Sequence, residues 1–97
     1  MKFEIKRSFK ENIYNLMRKI GYHFQGEEKE KEEFIFTRPP KGYPRFHIYL
    51  TVENKKLIFN LHLDQKRPIY KGATAHSGEY EGDLVEKEAE RIKQFIK

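Results

Sequence analysis

Cysteine and tryptophan are both absent from these 97 residues. Without cysteine there is no disulfide framework, no thiolate metal site and no thiol nucleophile. Long apolar runs are missing too. No window approaches the roughly 20 residues that a membrane helix needs. The start, MKFEIKRSFKE, lacks the apolar stretch of a signal peptide. A soluble, cytoplasmic protein without a membrane partner is therefore expected. Glycines are few, and Gly72, Gly78 and Gly82 sit in no phosphate-loop or dinucleotide pattern, which leaves them as turn residues. No cofactor is implied.

Charge and aromatic residues are plentiful. Charged residues make up 36% of the chain, a fraction that disfavours folding, but 8 Phe, 6 Tyr and regularly spaced Ile and Leu supply a core. The length suits one domain, residues 1–97, able to bury about two-thirds of its unfolded surface. The formal net charge of +5 is unevenly placed. EEKEKEE, Glu27 to Glu33, carries -3. Residues 38–71 carry +6, from Arg38, Lys41, Arg45, Lys55, Lys56, Lys66, Arg67 and Lys71 against Glu53 and Asp64. A local basic field attracts a polyanion, because neutralising phosphates releases counterions.

The chain begins with an alternating segment, Phe3 and Ile5 against Lys2, Glu4 and Lys6, which predicts a half-buried strand. SFKENIYNLMRKIG then predicts a helix. Ser8 and Glu11 have capping-box spacing, Phe9, Ile13, Leu16, Met17 and Ile20 recur at helical intervals, and Gly21 ends the run. The acidic run after Gly26 has no apolar period and is expected to be a solvated loop or a frayed strand start. EFIFTR predicts a strand closed by Pro39 and Pro40, which cannot donate to a ladder. The last 15 residues, from Asp83, predict a helix with Leu84, Val85, Ala89, Ile92 and Ile96 along one stripe and with Glu88 to Arg91 and Glu90 to Lys93 as surface pairs. Between Lys66 and Gly82 lies an irregular stretch in which only Ile69 and Tyr70 look strand-like.

PRFHIYLTVENKKLIFNLHLDQ, residues 44–65, predicts a hairpin whose register follows from its alternation. Phe46, Ile48, Leu50 and Val52 share one face of the first strand; Leu57, Phe59, Leu61 and Leu63 share one face of the second. With a turn at Asn54-Lys55 these oppose one another, and a slip by one residue would put core side chains on the polar side. The other face then pairs Tyr49 with Asn60, His47 with His62 and Arg45 with Asp64. Opposed Cβ atoms lie roughly 4.5 to 5.5 Å apart, so the two imidazoles should nearly touch.

The expected architecture is an α+β two-layer sandwich, in β-α-β-β-β-α order, with a mainly antiparallel sheet and both helices on one face. The face without helices carries Ile35, Thr37, His47, Tyr49, Thr51, Ile58, Asn60, His62 and Asp64. Four uses compete for it. It can be a solvated surface, or one that packs on a second copy to give a homodimer or on another protein. It can bind RNA or single-stranded DNA, with Tyr49, His47 and His62 stacking bases, Asn60 reading a base edge, and Arg38, Lys41, Arg45, Lys66, Arg67 and Lys71 forming a basic rim. His47, His62 and Asp64, with His76, could form a two-histidine, one-carboxylate metal set; a salt bridge from Arg45 to Asp64 is the competing explanation. Paired imidazoles, His47 and His62, could also act as acid and base in a metal-independent ribonuclease. Binding of RNA or single-stranded nucleic acid is the function expected most.

The order helix, three strands, helix over about residues 8–97 resembles double-stranded RNA-binding domains and the HicA-type messenger-RNA-cleaving toxins. HicA-type toxins carry a Gly-Ser-His run at the start of the second strand, where this chain has GYPRFH without the serine. The basic start of the last helix in double-stranded RNA binders is replaced by the acidic GDLVEKEAE. The chain is assigned to neither family. The toxin likeness implies His47 as the catalytic residue.

Overall fold

The computed structural model describes residues 1–6, 12–65 and 77–96. The described elements, in chain order, are β1 (Lys2–Lys6), α1 (Ile13–Lys19), β2 (His23–Glu28), β3 (Glu33–Arg38), β4 (Arg45–Glu53), β5 (Lys56–Asp64) and α2 (Ser77–Phe95). The strands form one antiparallel five-stranded sheet in the order β1-β5-β4-β3-β2. Strands β2 to β5 are therefore a meander, and β1 adds to its far edge.

The β4–β5 hairpin has the derived register, with Val52 opposite Leu57, Leu50 opposite Phe59 and His47 opposite His62. Asn54 and Lys55 make the turn, Lys55 with φ of 62°. Strand β3 matches EFIFTR, and Phe34 and Phe36 lie beside Leu50 and Ile48 of β4. Strand β1 lays Phe3 on Phe59, the rings stacked at 5.0 Å.

Three expectations need correction. The acidic run after Gly26, expected as a loop or a frayed strand start, opens with Glu27 and Glu28 inside a strand, His23–Glu28, that the expected order did not include, so the order gains an element. Two things hide it. The pairing jumps from Phe24–Phe36 to Gly26–Ile35, and the extra residue, Gln25, breaks the two-residue period. The strand also ends in Glu27 and Glu28, at the edge of the sheet, where charge discourages further pairing. The first helix is capped by Asn12, whose side-chain oxygen accepts the Asn15 N–H at 2.8 Å; Ser8 and Glu11 lie outside the described residues. The last helix begins at Ser77, ahead of Asp83, which instead pairs within α2 with Lys87 at 3.7 Å.

Alternation gives the sheet two chemically different faces. On one, Phe36, Ile48, Leu50, Leu57, Phe59, Leu61 and Leu63 join Leu16, Met17 and Ile20 from the α1 region and Val85, Ala89, Ile92 and Ile96 from the α2 region in a single buried cluster. The other, the polar face, carries the residues expected for function. No described helix is long and apolar enough to cross a membrane.

Candidate nucleic-acid interface

Side chains two apart on a strand share a face, so Arg45, His47 and Tyr49 of β4 line up on the polar face. His47 stacks on Tyr49 with ring centroids 4.6 Å apart and planes 28° from parallel. His62, across from His47 on β5, meets the Tyr49 ring edge-on at 5.9 Å. The two imidazoles are thus both in contact with one phenol ring. Asn60 stands opposite Tyr49, with Lys2 of β1 beyond it.

Asp64 organises the start of this row. Its Oδ2 is 2.9 Å from His47 Nδ1 and 3.4 Å from Arg45 Nε. A carboxylate only accepts, so Nδ1 carries the proton, and in the neutral ring Nε2 is left as an acceptor. That Nε2 is buried and has no hydrogen-bond partner among the described residues. The Arg45 guanidinium lies over the Tyr43 ring at 4.8 Å, which extends the row into the loop before β4. Tyr43 is half exposed. It escaped the sequence reading because a tyrosine between glycine and proline shows no period.

On the β3 side, Thr37 sits opposite His47 and Ile35 opposite Tyr49. Thr37 is buried; its hydroxyl oxygen accepts from Gln25 Nε2 at 2.8 Å, and the same amide donates to the Pro40 carbonyl at 3.2 Å. The loop after β3 is thereby fastened to β2 beside the ring row. Lys41 in that loop is exposed.

The residues expected at the site do not all meet. Arg45, His47, Tyr49, Asn60, His62 and Asp64 come together. Arg38 does not belong to the rim. It pairs in register with Phe46, so its side chain is on the core face, bonded to Glu88. Lys66, Arg67, Lys71 and His76 lie outside the described residues. Among the described residues no group of three or more His, Asp or Glu could hold a metal ion; His76, the fourth member of the expected set, is not one of them.

A second polar cluster, on the other face, was missed. Glu88, 3% exposed at its side chain, accepts from Arg38 Nε and Nη2 at 3.1 and 2.9 Å. It also accepts from Arg91 Nε and Nη2 at 2.9 and 2.8 Å, and from the Tyr22 hydroxyl at 2.6 Å. Arg91 Nη2 further donates to the Ile20 carbonyl at 2.7 Å. Burial alone would raise the Glu88 carboxyl, but the bonds from Arg91, Arg38 and Tyr22 outweigh it and hold it below the usual range. Burial first, then the hydrogen bond and charge of Glu88, raise the Tyr22 phenol far above its ordinary value. The signal was present: Glu88 falls on the stripe of Val85, Ala89 and Ile92, where a solvated glutamate does not belong.

Comparison with known protein families, curated proteins and solved structures found no match.

Proposed function

We propose that the polar face binds single-stranded nucleic acid, RNA in first place. The observation that carries this reading is the contiguous row of His47, Tyr49 and His62 rings, continued by Arg45 over Tyr43. Every base has a π-face, and stacking on such rings contributes about 1 to 3 kcal/mol per base whatever the sequence. Lys2, beyond Asn60, and the exposed Lys41, in the loop after β3, supply charge for phosphates. Asn60 offers both a donor and an acceptor to a base edge. With Arg38 committed elsewhere, stacking carries more of this reading and charge less.

The test is a proton-nitrogen NMR titration with single-stranded RNA, single-stranded DNA and an RNA hairpin at low salt. Shifts concentrated in β4 and β5 on adding a single strand support the reading. No response to any of the three overturns it, and shifts that follow protein concentration instead identify self-association through this face.

A further inference from the structure

We infer that the His47–Asp64 pair and His62, brought onto one face by the β4–β5 register, form an acid–base site that cleaves RNA through the ribose 2′-hydroxyl. The inference rests on the nucleic-acid reading of the same face.

The starting observation is the buried Nε2 of His47, which has no partner among the described residues. A buried polar atom left without a partner is uncommon in native structures. Asp64 on Nδ1 fixes the tautomer that makes Nε2 an acceptor. What is missing is a donor. A strand stacked along the Tyr49 row brings its sugars to the same face. Only RNA has a hydroxyl beside each phosphate.

His47 Nε2 then takes the proton of the 2′-hydroxyl, and O2′ attacks the adjacent phosphorus. The P–O5′ bond breaks, and O5′ receives a proton from the imidazolium of His62, which is exposed and directly opposite His47. The products are a 2′,3′-cyclic phosphate and a 5′-hydroxyl, so atoms and charge balance without water, metal or redox partner. Arg45, on the same Asp64 oxygen, lies beside the charge that develops on the phosphoryl oxygens. Asp64 is a positioning residue; His47 and His62 are the catalytic ones.

The experiment uses the full chain, EDTA, a 5′-labelled single-stranded oligoribonucleotide and its all-2′-deoxy counterpart, with binding and cleavage read separately. Both strands should bind, and only the ribo strand should be cut, leaving cyclic phosphate ends. His47→Gln and His62→Gln should each slow cleavage by about 100-fold or more, the range of a lost general acid or base. Asp64→Asn should lower kcat by a larger factor than it weakens affinity for the deoxy strand. Because His62 is exposed, its variant decides the matter even if His47→Gln fails to fold. Binding of both strands without cleavage overturns the inference and leaves the binding reading standing. Cleavage that survives in the folded glutamine variants overturns it as well, and failure to bind either strand overturns both.

Discussion

Arg38 and Glu88, 50 residues apart in sequence, share two hydrogen bonds, Nε to Oε2 at 3.1 Å and Nη2 to Oε1 at 2.9 Å. They fasten the end of β3 to the middle of α2. Arg91 and Tyr22 converge on the same carboxylate, and Arg91 reaches the end of α1 through the Ile20 carbonyl. One glutamate therefore ties α2 to the end of β3 and to Tyr22, between α1 and β2.

Glu88→Gln should destabilise the protein by about 3 kcal/mol at neutral pH, because it leaves two guanidiniums facing a neutral amide in a buried setting. Chemical denaturation checks this. The folded-state carboxyl is depressed, so its contribution is complete above the unfolded value of about 4.3 and fades as pH falls below it. The gap between wild type and variant should narrow in that acid range.

Tyr22→Phe should cost about 1.5 to 3 kcal/mol, the value of a hydrogen bond to a charged group. Its alkaline behaviour is more distinctive. A raised phenol contributes stability that is fully present below the unfolded value of about 10 and is lost as pH rises above it. While the chain stays folded, wild type and Tyr22→Phe should show equal phenolate absorbance in that range. A larger signal from the wild type would mean that the phenol ionises in the folded state.

Gly21 has φ of 98°, and a Cβ there would stand 2.9 Å from Arg38 Cδ. Gly21→Ala should cost about 2 kcal/mol from backbone strain alone, with an added loss as Arg38 is pushed off Glu88. In the double variant with Glu88→Gln the two costs should sum to more than the measured loss, since they share Arg38. Strict additivity would show that the clash is absorbed elsewhere.

Tyr49→Ala should weaken single-strand binding by about 1 to 3 kcal/mol, whereas Tyr49→Phe should keep most of it. Arg38→Gln should do the reverse, lowering stability with little change in affinity per folded molecule. Parallel anisotropy and thermal melts distinguish the two. A large affinity loss in Arg38→Gln would return that residue to the binding surface.

The sequence disclosed the elements whose alternation or helical period is unbroken. Phe46 to Val52 and Leu57 to Leu63 each present four apolar residues at period two, so their pairing, and with it the meeting of His47, Tyr49 and His62, had only one register that buries both sets. Strand β2 was hidden by a bulge and by glutamates at an edge. The Glu88 cluster was hidden differently. Its members come from three separate places in the chain, and a pairwise helix rule read Glu88 and Arg91 as surface partners; only tertiary packing shows that Tyr22 and Arg38 complete the set. Arg38 was misplaced for a simpler reason, since its parity with Phe36 on β3 places it on the core face.

Strand β1 pairs with β5, its partners at Lys56 to Asn60, whereas every other strand pairs with one next to it in sequence. During synthesis Lys2 to Lys6 therefore wait, without their ladder, until β5 has been made. The Phe3 ring, which stacks on Phe59, stays uncovered for the same interval. Hairpins β2–β3, β3–β4 and β4–β5 close only short loops, while β1 must close one spanning most of the described sheet, the slow kind of contact in folding. Completion of the sheet, and burial of Phe59 beneath Phe3, thus falls to the strand that is made before the other four.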